Sequence, residues 1–307
     1  MDQVASGRNR FPVESIGNDS RPLRSGPTAL AVSHMDRSQP HPDQLTDSAP
    51  ESSDMTITAP ATGATRPSPD SMRRTSLAAG ILYLISFVSI PSLALYNPVR
   101  ENADFVLGAG SDTGVQWAGF LEVVVALAGI GTAVVLFRVA RRQSETAALG
   151  FVTARVLEAA LILVGVVSML SIVTLRQDVA GTAGADPASL ITTGQAHLAT
   201  YDWAFLLSQS LMPVFNALCI GYVMYRSGLV PRILPTIGLI GAPLLLLSDI
   251  AIFFGVYDRA APIALVAALP IAAWEFSLGV YLTVKGFKPA AVAALTATDL
   301  DTELSPA

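Results

Sequence analysis

Phe151–Leu175 reads FVTARVLEAALILVGVVSMLSIVTL, a long apolar stretch in which Arg155 and Glu158 are the charged residues. A segment needs about 20 mostly apolar residues to cross the roughly 30 Å of hydrocarbon in a bilayer. The bilayer offers no partners for backbone N–H and C=O groups, so a crossing segment has to satisfy them itself. Because this run is continuous and does not alternate as a barrel strand would, it predicts a transmembrane helix.

Five further stretches share the length and apolar character of the first. They are Leu77–Tyr96, Val115–Phe137, Tyr201–Tyr225, Ile233–Tyr257 and Ala260–Val284. The whole chain is 51% hydrophobic and only 14% charged, whereas soluble domains usually carry about 25% charged residues. The sequence therefore predicts an all-α fold, a polytopic membrane helical bundle of about six transmembrane helices, with the lipid bilayer as its surroundings.

The two ends of the chain differ from this apolar region. Residues 1–72 are rich in Ser, Pro, Asp and Thr and contain no stretch able to bury a core. They are predicted to form a disordered cytoplasmic tail, and residues 290–307 a second one. The six-helix transmembrane domain is expected over residues 73–289. Met55 and Met72 are alternative starts of the chain.

Basic residues are distributed unevenly between the ends of the spans. With the N-terminus inside, nine of them lie on the cytoplasmic side: Arg73, Arg74, Arg138, Arg141, Arg142, Arg226, Arg232, Lys285 and Lys288. Three lie outside, at Arg100, Arg176 and Arg259. Lysine and arginine concentrate in cytoplasmic loops. Both termini are therefore predicted to lie in the cytoplasm (N-in, C-in) of a multi-pass protein of the cell membrane.

The connection before the fourth stretch contains a helix-start signal. Asp186 is a favoured N-cap residue, and Pro187 suits the first helical position. Together with the apolar Leu190 and Leu198, they predict a short helix along the outer interface. The fourth span is expected to begin after it, at Tyr201.

Ionisable residues inside the spans are the first candidate site. Each costs about 2.5–3.5 kcal/mol at mid-membrane and needs a physical reason. At about 1.5 Å per residue from the cytoplasmic end, Arg155 lies roughly 6 Å deep, Glu158 roughly 10 Å, and Asn216 and Glu275 roughly 14 Å. Arg155 and Glu158 are three residues apart and share a helix face. The four residues are predicted to form an intramembrane polar cluster.

Two interpretations of this cluster stay open. In the first it is a functional polar site, such as a proton relay, an ion site or a clamp for a headgroup, and Gln209 and Ser210 help to line a cavity. In the second it only staples helices together, and the Arg155 side chain extends to the cytoplasmic interface. The sequence does not decide between them.

Glu122 and Asp249 form a secondary acidic layer on the outer side, both roughly 22–24 Å from the cytoplasmic end. Two adjacent carboxylates would share a proton or hold a cation, since both cannot ionise cheaply side by side. They can equally lie on separate helix faces, and we favour this second arrangement.

The sequence contains no signature of catalysis or of metal binding. A nucleotide-binding loop, a zinc-protease motif and a hydrolase elbow are all missing, so we expect no enzyme. Cys219 is the single cysteine, and the three histidines are scattered. We therefore expect no metal and no cofactor. No basic run indicates binding to nucleic acid.

Three motifs resemble a known bacterial membrane-protein family. They are Arg155-Val-Leu-Glu158 followed by Ala-Ala-Leu-Ile-Leu-Val-Gly165, Asp202-Trp203-Ala-Phe-Leu-Leu, and Trp274-Glu275-Phe-Ser-Leu-Gly279 followed by Val284-Lys285-Gly286-Phe287-Lys288-Pro289. The family is the domain of unknown function 4386, and the resemblance covers roughly Arg73–Pro289. It implies a six-span integral membrane protein and no particular activity. It also adds weight to Arg155, Glu158 and Glu275, which stand within these motifs.

Three functions remain open after this reading. A small transporter or channel would need water or ions to reach the polar cluster. A non-enzymatic membrane partner or regulatory subunit would need only a dry cluster that staples helices. An intramembrane enzyme acting on lipid is the least favoured, because no nucleophile is paired with a base. The substrate and any protein partner stay undetermined.

Overall fold

The computed structural model describes residues 69–87, 89–108 and 111–304, and within these ranges the chain is helical without a strand. The α-helices are α1 (Pro69–Ser86), α2 (Ser89–Leu95), α3 (Asn97–Glu101), α4 (Asp112–Gln143), α5 (Glu145–Asp178), α6 (Pro187–Phe205), α7 (Met212–Ser227), α8 (Ile233–Phe253), α9 (Pro262–Val284) and α10 (Pro289–Leu304). A 3-10 helix spans Phe105–Leu107. A π-helix spans Leu206–Leu211, between α6 and α7.

Six helical segments of the described chain are long and apolar enough to cross a membrane. They are Asp70–Glu101, Asp112–Gln143, Glu145–Asp178, Pro187–Ser227, Ile233–Phe253 and Pro262–Val284. The prediction of an all-α bundle of six transmembrane helices is thereby confirmed. The side of the membrane on which the termini lie stays a prediction.

The outer surface of the bundle suits lipid and not water. Leu127, Val134, Val167 and Leu247 are each about two-thirds exposed, and they come from three different spans. Large apolar side chains on the surface of several spans indicate contact with a membrane. Charged and polar side chains within the spans, among them Arg155, Glu158 and Asn216, are buried instead, which is the reverse of a soluble protein.

A single residue joins the second and third spans. Ser144 is extended between α4 and α5, and its hydroxyl accepts a hydrogen bond from the Ala147 N–H at 3.3 Å. Such an N-cap satisfies one of the free N–H groups at the start of a helix. The tight connection makes α4 and α5 antiparallel neighbours and places Arg155 three turns into α5.

The first and fourth spans are interrupted near their middles. The first breaks between Ser86 and Ser89, where α1 gives way to α2. In the fourth span, the π-helix ends at Leu211, and Pro213 is the second residue of α7. Proline has no N–H to donate, so the hydrogen-bond register shifts around it. Both interruptions bring polar residues toward the middle of the bundle.

The fourth span is longer than the sequence predicted. Asp186 caps α6 as expected, accepting hydrogen bonds from the backbone N–H groups of Ala188 and Ser189. The helix does not stop before Tyr201, however, so the prediction of a separate interfacial helix is wrong. α6, the π-helix and α7 run continuously over Pro187–Ser227. The residues from Leu198 to Tyr201 include no proline, so nothing there interrupts the helix.

The fifth and sixth spans pack closely through a small residue. Gly238 on α8 faces the ring of Trp274 on α9 so tightly that a Cβ atom there would overlap the indole. Trp274 is fully buried within the main hydrophobic core. Small residues let membrane helices approach in this way. The contact fixes α9 at the turn that carries Glu275.

At both ends of the bundle, helices include residues that were predicted to belong to the tails. Residues 69–72 already belong to α1, and Met72 is buried. Residues 289–304 form α10, although a disordered tail was predicted from residue 290. This segment is rich in alanine, a strong helix former, and Leu295 packs into the core with Ala291 and Val292. The disorder predicted for residues 1–68 and the alternative start at Met55 lie outside the described residues.

Candidate functional site: a buried ion-pair cluster beside a cavity

Arg155 lies at the centre of the candidate site, with only 3% of its side chain exposed. Its Nη1 donates to both carboxylate oxygens of Glu158, at 3.1 and 3.2 Å. Its Nη2 donates to Glu275 Oε1 at 2.9 Å, across to α9. One guanidinium therefore bridges a carboxylate of its own helix and one that is 120 residues further along the chain.

Asn216 of α7 completes the predicted cluster. Its side-chain amide donates to Glu158 Oε2 at 2.6 Å, and the side chain is fully buried. The four residues named from the sequence thus meet, and they come from three spans. The structure brings them together without testing what they do.

Two aromatic rings hold the guanidinium as well. Arg155 Cζ lies 5.4 Å from the ring centroid of Tyr83 and 5.7 Å from that of Phe151. A cation near an aromatic ring at these distances is stabilised electrostatically. Tyr83 was not predicted from the sequence, because the residue spacing within α1 gives no information on which residues of α5 Tyr83 contacts. The only available signal was a tyrosine well inside an apolar span.

The cluster does not balance its charges. Two carboxylates and one guanidinium sum to −1 when all are ionised. Glu275 bonds to Arg155 through Oε1, and its Oε2 makes no hydrogen bond to a described residue. The Glu275 side chain is 13% exposed, more than either partner. Its second oxygen is the accessible acceptor of the cluster.

A cavity of about 190 Å³ lies against this cluster. Arg155, Glu158 and Glu275 form part of its wall, and the rest is lined by Ser86, Phe87, Ile90, Val125, Gln209, Ser210, Pro213, Leu245, Ala268, Ile271 and Ala272. At about 30 Å³ for each water in the liquid, the space is enough for roughly six waters or one small organic ion. The wall contains the interrupted parts of both the first and the fourth span.

Glu122 occupies a separate buried network. It is 1% exposed and accepts hydrogen bonds from Tyr96 Oη at 3.1 Å, Tyr201 Oη at 3.1 Å and Gln209 Nε2 at 3.0 Å. All three partners are neutral donors, which suits a carboxylate acceptor. Gln209 also lines the cavity.

Asp249 has a partner of its own. Ser210 Oγ donates to Asp249 Oδ1 at 2.6 Å, and Asp249 Oδ2 is buried without a hydrogen-bond partner among the described residues. Glu122 and Asp249 therefore bond to different residues and make no hydrogen bond to each other. The protonation of the two carboxylates stays a prediction. Gln209 and Ser210, which hold the two carboxylates, are consecutive residues of the π-helix.

A third cluster, not foreseen from the sequence, lies at the end of the bundle predicted to face outward. Arg100 Nη1 and Arg259 Nη2 both donate to the same Asp202 oxygen, Oδ1, at 2.8 and 2.9 Å. Burial lowers the pKa of the Arg259 guanidinium, and Asp202 opposes that shift. Asp202 follows Arg100 by 102 positions and precedes Arg259 by 57, and helix periodicity does not relate them.

No group of three or more His, Cys, Asp or Glu residues in the described part of the chain is arranged to hold a metal ion. His197, one of the scattered histidines, lies on α6, where its backbone carbonyl accepts a hydrogen bond from Ser168 Oγ at 2.8 Å.

Six apolar spans, a lipid-compatible surface and a buried polar cluster define a multi-pass α-helical membrane protein. A family model described as "Domain of unknown function (DUF4386)" matches residues 78–286. The match covers more than half of the chain, which therefore belongs to this family, as the motifs predicted. No match to the chain was found among curated proteins or among solved structures.

Proposed function

We propose that the protein is a small-solute transporter of the cell membrane whose cavity beside Arg155, Glu158 and Glu275 binds a proton or a small cation. The observation that carries the proposal is the contact between the cavity and the charged cluster. A cluster that served packing alone would be most stable if protein groups satisfied all of its charged atoms. Here Glu275 keeps one carboxylate oxygen without a hydrogen bond to any described residue, beside the cavity.

The charge of the cluster favours a positive ligand. A sum of −1 in a membrane interior is stabilised by protonation of one carboxylate or by a bound cation. Both Nη atoms of Arg155 donate to carboxylates, and its Nε is buried without a hydrogen-bond partner among the described residues. Glu275 Oε2 is an acceptor at the cavity, and the ring of Phe87 in the cavity wall suits an organic cation.

The interrupted spans support a transporter over a rigid scaffold. Transporter sites near the middle of the bilayer are commonly formed where membrane helices are discontinuous. π-helical turns are also frequent at functional sites. The break after Ser86 and the π-helix containing Gln209 and Ser210 both border this cavity.

A second candidate is a non-enzymatic membrane partner or regulatory subunit. The bond between Arg155 and Glu275 joins α5 to α9 at 2.9 Å, as a packing staple requires. In that function the cluster stays dry, and no solute moves. The two candidates therefore differ in a measurable flux.

The experiment reconstitutes the purified full chain in vesicles and measures uptake of radiolabelled Na⁺ and methylammonium, together with proton movement reported by an internal dye. We expect flux above that of protein-free vesicles for at least one probe. Glu275→Gln should lower that flux about tenfold or more. The variant loses the charged contact between Glu275 and the transported cation, which is worth about 1.5–3 kcal/mol. It should keep the wild-type thermal midpoint.

The matched control is Glu145→Gln, because Glu145 is exposed at the start of α5. This variant should transport like the wild type. Wild-type protein that moves none of the probes would contradict the proposal and favour the partner function. So would Glu275→Gln protein that transports at the wild-type rate.

A further inference from the structure

Arg100, Asp202 and Arg259 form a cluster with more positive than negative charge. Two guanidiniums share a single carboxylate oxygen, so the sum is +1. The three side chains are 29%, 41% and 23% exposed, which leaves them half-buried at the end of the bundle. The third basic residue predicted on this side, Arg176, has its own carboxylate in Asp112 at 3.0 Å.

Several donors of the cluster remain available. An arginine carries five N–H groups in a planar fork. Arg100 bonds to Asp202 through Nη1, and Arg259 through Nη2. Arg259 Nη1 is buried and has no hydrogen-bond partner among the described residues, while the guanidinium carbon lies 4.1 Å from the ring centroid of Phe205. The ring holds the guanidinium in place without satisfying its N–H groups.

The surroundings match the interface of a membrane. Trp203 follows Asp202 in the chain and packs edge-on against Phe253 at 5.5 Å, and Phe253 packs against Phe254 at the same distance. These rings are largely exposed, with Phe254 at 77%. Exposed tryptophan and phenylalanine beside polar groups are typical of the level of the lipid headgroups.

We propose that Arg100 and Arg259 bind a phosphate anion, which the headgroup of an anionic phospholipid supplies while its acyl chain lies on the aromatic rings. Arginine forks match phosphate oxygens geometrically, and charged hydrogen bonds of this kind are the strong ones. The anion would neutralise the surplus charge by accepting hydrogen bonds from the exposed parts of the Arg100 and Arg259 side chains. The site lies apart from the cavity and does not rest on the proposed transport.

The test measures binding of a short-chain phosphatidylglycerol to the purified full chain in neutral detergent, with phosphatidylcholine of the same chain length and inorganic phosphate as comparison ligands. We expect phosphatidylglycerol to bind best and binding to weaken with added salt. Arg259→Gln and Arg100→Gln should each weaken it about tenfold. The control Arg176→Gln should bind as the wild type does.

Asp202→Asn distinguishes a ligand site from a structural staple. Removing the competing carboxylate should strengthen phosphatidylglycerol binding several-fold, because both guanidiniums are then free for the anion. A purely structural triad predicts a lower thermal midpoint and no gain in binding, which would overturn the proposal. Equal binding by Arg259→Gln and wild type would overturn it as well. Inorganic phosphate that binds as tightly as the lipid would overturn the lipid as the source of the anion.

Discussion

Among single residues, Arg155 is the one whose removal we expect to destabilise the protein most. It is buried, and its guanidinium is held by Glu158, by Glu275 and by two aromatic rings. Breaking a buried ion pair by removing one partner is costly, because the other charge stays buried without compensation. Removal of Arg155 would leave the carboxylates of both Glu158 and Glu275 without their cation.

Arg155→Leu should therefore lower the free energy of unfolding by about 3–5 kcal/mol. The measurement is reversible unfolding in mixed micelles. Arg138→Leu is the matched control, because Arg138 is an exposed residue near the end of α4, and it should cost less than about 0.5 kcal/mol. If the two variants were equally stable, Arg155 would not be the structural centre of the cluster.

The sequence allowed this cluster to be predicted because each partner leaves a local signal. Arg155 and Glu158 have helical spacing, and Glu275 has a depth that can be counted along its span. The triad of Arg100, Asp202 and Arg259 leaves no such signal. Arg100 lies near the end of α3, Asp202 within the fourth span and Arg259 in the loop between α8 and α9, so the path of the backbone and not periodicity decides that they meet.

At the scale of elements, α1 and α9 approach each other closely at Gly80. A Cβ atom at Gly80 would lie 2.6 Å from the backbone nitrogen of Thr283 and 2.7 Å from the carbonyl oxygen of Gly279. Neither backbone atom can move away as the tip of a side chain does. Glycine at position 80 therefore sets the distance between the first and last spans.

Gly80→Ala should destabilise the protein by about 1–3 kcal/mol, the usual cost of overpacking. Gly114→Ala is the matched control, because its nearest neighbour would be the Leu95 carbonyl oxygen at 3.6 Å, an ordinary contact. Thermal midpoints of the two variants in detergent give the comparison. A Gly80→Ala protein as stable as Gly114→Ala would show that α1 and α9 are packed more loosely.

The spans themselves were predictable, whereas their interruptions were not. Length and apolar character place each span, because these properties decide whether a helix can cross a bilayer. Pro213 indicates a perturbed helix but not whether it kinks, breaks or widens into a π-turn. That outcome depends on partners such as Glu122 and Asp249, which reach Gln209 and Ser210 from other helices.

At the scale of the whole molecule, orientation follows from the distribution of basic residues. Nine lie at the ends of the spans predicted to be cytoplasmic and three at the opposite ends. This excess predicts that both termini are inside. Six spans are consistent with both termini on one side, since an even number of crossings returns the chain to the side where it began.

A fluorescent protein fused after Ala307 should be active, and alkaline phosphatase at the same position should be inactive, because the phosphatase folds only outside the cytoplasm. Alkaline phosphatase inserted after Ala185, between α5 and α6, should be active. The reverse pattern at both positions would invert the topology. It would also place the triad of Arg100, Asp202 and Arg259 on the cytoplasmic side.

A transporter needs water to reach the cavity beside Glu275, and thiol labelling measures whether it does. In a Cys219→Ser background, Ala272→Cys places a thiol in the cavity wall, and Ala273→Cys places one on the neighbouring exposed position of α9. Charged methanethiosulfonate reagents modify only a thiol that water allows to ionise. We predict rapid modification of Ala272→Cys and none of Ala273→Cys, whose thiol faces lipid. Equal and negligible labelling of both variants would mean that the cavity is dry, and the transport account would be wrong.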